Sequence, residues 1–73
     1  MYPRLRDLRN DTHLTQKDIG ELLQTTYQQY GKYERGVQEI PARHLIILAK
    51  FYKTSIDYLL GLTNETKPYK PIK

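Results

Sequence analysis

The apolar residues of this chain fall at helical spacing from one end to the other. Leu5 and Leu8 stand three apart, Ile19, Leu22 and Leu23 form a second stripe, and Leu45, Leu48, Ala49 and Tyr52 form a third. Nowhere do apolar and polar residues alternate with the period of two that marks a half-buried strand. The pattern predicts an all-α chain, a compact five-helix bundle.

Start and stop signals divide the chain. Pro3 suits a first turn, and Asn10-Asp11-Thr12-His13 interrupts the first stripe, which gives a helix at about 3–11. Thr15 with Asp18 is the weaker of two capping boxes and opens a helix at about 16–23. Thr26 with Gln29 is the stronger box and opens a third helix at about 27–35, closed by Gly36. Pro41 sets the start of the fourth. Thr54 or Ser55 caps the last, at about 56–60, with Asp57 in its positive first turn and Gly61 beyond its end. The expected folded domain is 1–62, followed by a basic flexible tail, 63–73, that holds two prolines and little apolar content.

Only Gln24, Thr25 and Thr26 separate the second and third helices. Two short helices joined so tightly cross steeply, as in a helix-turn-helix. Gly20 then reads as the small residue at a close crossing. As a merely tolerated glycine it would cost about 1 kcal/mol against Ala.

The third helix has two unlike sides. Tyr30, Tyr33 and Glu34 cluster on one and should face the other helices. Tyr27, Gln28, Gly31, Lys32 and Arg35 cluster on the other, which carries no acidic residue. Taken singly, each of these is ordinary on a solvated face. As a set they suit the edge of a base pair. A Gln amide presents a donor and an acceptor together, matching adenine N6 and N7, and Lys32 can donate to guanine or to a phosphate. Tyr27 can touch a thymine methyl, and Gly31 would let the backbone approach closely.

Charge and composition narrow the classes. The 73 residues carry a net charge of +4, and the tail's three lysines against one glutamate hold half of it. A polyanion partner is therefore suggested by where the charges sit more than by their sum. A chain this short buries about 60% of its unfolded surface and has little room for a deep catalytic cavity. It has no cysteine, which excludes disulfides, thiolate metal sites and cysteine nucleophiles and fits a reducing cytoplasm. Neither a signal peptide nor a membrane-spanning run is evident, because Leu45–Ala49 is too short and Lys50 follows it. His13 and His44 lack a second ligand at metal spacing. Ser55 has no triad partners, and no phosphate-binding glycine loop occurs. The chain reads as a non-enzyme without metal, cofactor or small-molecule ligand.

The motifs LRDLRND, LTQKDIGELL, TTYQQYGKYERG, EIPARHLIILAKFY and TSIDYLLG together resemble the lambda-repressor-like, Cro-type (XRE-type) helix-turn-helix family over about residues 4–61. The resemblance implies a five-helix domain that binds double-stranded DNA, usually as a homodimer on a near-palindromic operator, and regulates transcription. It places Tyr27, Gln28 and Lys32 at base-reading positions, with Gln29 beside them. It places Gln16, Lys17, Thr26, Arg35 and Arg43 near phosphates. Arg9 and Glu34 match a structural ion pair between the first and third helices.

Three departures from the family pattern stand out. Gln24 occupies a turn position where glycine is usual, Tyr30 replaces a smaller aliphatic residue, and Gly31 weakens the reading helix. The fourth helix adds a further feature. Ile46 and Ile47 widen its apolar arc beyond one buried side, so Ile47 with Phe51 is a candidate dimer contact. The same surface would serve the alternative reading, an antitoxin-like or adaptor module that uses this fold to bind a protein.

Overall fold

A computed structural model describes residues 2–67, with the side chain of Pro3 excepted. Helices α1 (Pro3–Asp11), α2 (Gln16–Leu22), α3 (Tyr27–Arg35), α4 (Ala42–Tyr52) and α5 (Ile56–Leu59) follow in order, and the described residues contain no strand. The all-α, five-helix expectation holds, with boundaries within a residue of those read from the caps.

The caps show how local chemistry sets those boundaries. At α2 the box is fully reciprocal, since the Asp18 N–H donates to Thr15 Oγ1 at 3.1 Å and the Thr15 N–H donates to Asp18 Oδ2 at 2.9 Å. At α3 only half the expected box forms. Thr26 Oγ1 accepts from the Gln29 N–H at 3.1 Å, but the Gln29 side chain turns away and donates to Gln38 Oε1 at 2.9 Å. The anticipated order of the two boxes is thus reversed. The reason is a competing partner that lies outside the helix. Gly36 closes α3 in the left-handed region, at φ 73°. Ser55 rather than Thr54 caps α5, accepting from the Tyr58 N–H at 3.1 Å.

The turn between α2 and α3 is tight, and its chain path is set by two residues. Gln24 adopts φ 58°, so the turn keeps the left-handed geometry despite lacking glycine. That conformation costs an L-residue about 1–2 kcal/mol. Gly20 sits where the helices meet. A Cβ there would lie 3.1 Å from Thr26 C and Tyr27 N, which supports the close-packing reading of this glycine.

The core is formed by Leu5, Ile19, Leu23, Tyr30, Tyr33, Ile40, Leu45, Leu48, Ala49 and Leu59. Leu8, Leu22 and Tyr52 pack against it, half-buried. Ile40 comes from the loop before α4. It precedes the N-cap Pro41, and Leu45 stands at the fourth helical position, which is the spacing of a hydrophobic staple. Tyr30 is wholly buried, with its ring edge-on to Tyr33 at 6.4 Å, so the core under α3 accommodates an aromatic. His44 is buried too, and its ring stands 5.7 Å from that of Tyr33.

Arg4 joins the two ends of the described chain. Its Nη1 donates to the carbonyls of Tyr58 and Thr63, each at 3.2 Å, and its Nη2 donates to Asn64 Oδ1 at 2.8 Å. The guanidinium also lies 4.1 Å from the centre of the Tyr58 ring, within cation–π range. This clasp reaches past the expected domain boundary at 62. Residues 68–73 of the expected tail lie outside the described residues.

Candidate nucleic-acid interface

Packing decides which side of α3 is free. Tyr30, Tyr33 and Glu34 are buried, as their helical positions predict. Tyr27, Gln28, Lys32 and Arg35 are exposed, and none of the exposed α3 residues is acidic. The side chains of a phenol, an amide and two cations therefore share one solvent-facing surface.

A single polar cluster holds this surface in place from behind. Arg9 Nε donates to Glu34 Oε2 at 2.6 Å and Arg9 Nη2 donates to Glu34 Oε1 at 3.1 Å. Arg9 Nη1 also donates to the Leu14 carbonyl at 3.1 Å. Gln16 Nε2 adds a third donor to the carboxylate at 3.2 Å. The two charged side chains are 14% and 4% exposed, so the pair is largely out of water. Burial acts to raise the Glu34 pKa. The donors Arg9 and Gln16, the nearby Tyr30 hydroxyl and the Arg9 charge together outweigh it and hold the carboxyl below its ordinary value. The Tyr30 hydroxyl makes no hydrogen bond of normal geometry, and burial followed by the Glu34 charge pushes its pKa well up.

Gly31 differs from the sequence expectation. It is buried rather than an open gap for a DNA backbone. A Cβ there would lie 3.2 Å from Arg35 Nη1 and 3.3 Å from Gln16 Oε1. The ends of two long side chains fill the space that the glycine leaves. A helical wheel gives the direction of residue 31 but not what the neighbouring helix lays across it.

The remaining candidate positions surround the exposed side of α3. Thr26 caps its start and is exposed, and so are Lys17 on α2 and Arg43 in the first turn of α4. Gln29 is half-buried and tied to Gln38. Gln38 itself was not apparent from the sequence, because its role depends on a side chain that reaches nine positions along the chain. Thr26 and Gln29 face Gln38 and Arg43 across an open polar cleft of about 580 Å³.

On α4, Ile46, Ile47 and Phe51 are 45%, 37% and 45% exposed, so the helix has an outward apolar strip. No helix of the described residues is long and apolar enough to cross a membrane. No group of three or more His, Cys, Asp or Glu side chains among them could hold a metal ion.

Comparison with known proteins places this geometry. A helix-turn-helix family model matches residues 5–59. The chain is 40% identical over 65 residues to Uncharacterized HTH-type transcriptional regulator YobD of Bacillus subtilis, covering 89% of this chain and 58% of that protein. Two further proteins named uncharacterized HTH-type transcriptional regulators, from Rickettsia conorii and Rickettsia prowazekii, are each 30% identical over 66 residues. Those matches cover 89% of this chain and 53% and 51% of the two relatives. The chain therefore spans a little over half the length of the curated relatives it matches. No solved structure matches it significantly. With its five helices, its α2–turn–α3 unit and these relatives, the chain belongs to the lambda-repressor-like, XRE-type helix-turn-helix family.

Proposed function

We propose that this chain is a sequence-specific DNA-binding regulator of transcription that inserts α3 into the major groove. The supporting observation is the exposed side of α3, where Tyr27, Gln28, Lys32 and Arg35 stand and no exposed residue is acidic. Gln28 and Lys32 read base edges, with Tyr27 beside them. Gln16, Lys17, Thr26, Arg35 and Arg43 contact phosphates and set the register. Gln29 acts jointly with Gln38 at the edge of the groove.

Regulation by repression, of the kind found in prophages and mobile elements, and a cytoplasmic setting are part of this proposal. So is a homodimer. Two copies on a near-palindromic operator would place their α3 helices about 34 Å apart, one turn of DNA. The apolar strip of Ile46, Ile47 and Phe51 on α4 is the surface proposed for that contact.

The same strip favours one other reading, in which the fold serves as an antitoxin-like or adaptor module for a protein partner. A salt titration with random-sequence duplex separates the two. Binding that falls steeply with salt supports the DNA reading. Salt-indifferent, weak binding, together with loss of a protein complex when Ile47 is made polar, supports the adaptor.

A further inference from the structure

We infer that Arg6 of α1, together with Arg35 and Gln16, holds a backbone phosphate of the duplex in a cleft where α1, α2 and α3 meet. This inference rests on the DNA-binding reading above and adds to it a contact from α1.

The cleft has a volume of about 250 Å³ and is lined by Arg6, Arg9, Gln16, Glu34 and Arg35. Its charges divide into two groups. Arg9 and Glu34 neutralise each other through two hydrogen bonds. Arg6 and Arg35 are both exposed and have no hydrogen bond or ion pair among the described residues. The lining therefore carries two uncompensated positive charges.

Gly31 governs where one of those charges sits. Because residue 31 has no side chain, Arg35 folds back one turn along α3, and its Nη1 comes within 3.2 Å of the missing Cβ position. Gln16 Oε1 closes on the same point at 3.3 Å. The Arg35 guanidinium is thus drawn toward the start of α2 and the mouth of the cleft instead of extending beyond the end of α3.

A phosphate suits this arrangement better than a base edge. Guanidinium groups present paired donors that match the oxygens of phosphate, and charge-assisted bonds of this kind are the stronger class. A base edge offers acceptors without the negative charge that two cations require. The cleft also adjoins the exposed side of α3, so a strand flanking the groove would pass its mouth while Gln28 and Lys32 face the bases.

The test uses the full chain, random-sequence duplex and a selected operator. Each phosphate contact contributes about 0.9 to the slope of log affinity against log salt. Arg6→Ala should lower that slope on both duplexes, by up to about one, while leaving the melting temperature unchanged, because Arg6 has no partner to lose. Arg6→Lys should keep most of the slope. Neutral methylphosphonate, placed at one phosphate of the operator at a time, should reveal a position that weakens the wild type and weakens Arg6→Ala less, because Arg35 remains to meet that phosphate. An unchanged slope in Arg6→Ala, with a steep slope in the wild type, overturns the phosphate contact and leaves the DNA reading intact. A wild-type chain without salt-dependent DNA binding overturns both.

Discussion

Arg9 and Glu34 lock α1 to the inner side of α3 through a two-pronged contact, with Nε to Oε2 at 2.6 Å and Nη2 to Oε1 at 3.1 Å. Because both side chains are largely buried, removing one partner leaves a charge in a poorly solvated place. Arg9→Ala or Glu34→Ala should each cost about 3–5 kcal/mol in urea unfolding. Replacing both by apolar residues of similar size, as in Arg9→Met with Glu34→Leu, should recover much of that loss. A single-variant cost below about 1 kcal/mol would mean that the pair behaves like a surface ion pair.

The two helical glycines should respond to alanine in opposite directions. At Gly20 the added Cβ meets backbone atoms at 3.1 Å, which cannot withdraw without shifting the α2–α3 crossing. Overpacking of this kind costs about 1–3 kcal/mol and outweighs the gain in helix propensity. At Gly31 the added Cβ meets only the ends of Arg35 and Gln16. Those ends can give by a few tenths of an ångström, so Gly31→Ala should stabilise by up to about 1 kcal/mol. Thermal unfolding of the two variants side by side checks both signs.

Acid should weaken the fold in two stages. Burial, followed by the charge of Arg43, lowers the His44 pKa from its ordinary 6.5. The folded state therefore takes up this proton less readily than the unfolded one, and stability declines as pH falls below about 6.5 until the folded pKa is reached. The Glu34 carboxyl is also depressed, from an ordinary 4.5. Its contribution is present above that value and is lost as pH falls through the folded pKa. His44→Phe, which keeps an aromatic ring beside Tyr33, should remove the first stage and leave the second. Urea unfolding at a series of pH values measures both.

Features carried by near neighbours were legible in the sequence. Thr15, Thr26 and Ser55 each cap through an N–H three residues on, so a short window was enough to place α2, α3 and α5. The inward positions of Tyr30, Tyr33 and Glu34 followed from helical periodicity. The Arg9–Glu34 pair joins residues 25 positions apart and was visible only through the family resemblance.

What the sequence did not disclose depends on contacts made in three dimensions. Arg4 reaches carbonyls 54 and 59 positions away, and no local pattern signals this. Gln29 leaves its capping role because Gln38 happens to lie within reach. Gly31 looked open because its helical direction was right, yet Gln16 from α2 covers it. Ile40 lies in a loop, where burial has no periodic signature.

If α3 selects bases, Gln28 is the side chain whose loss shows it. Affinity of the full chain for a selected operator and for random duplex should be measured by fluorescence anisotropy, for the wild type and for Gln28→Ala. Gln28→Ala should lose about 1–3 kcal/mol on the operator, with relaxed preference at one base pair and little change on random duplex. Equal losses on the two duplexes, or no loss on either, would contradict it.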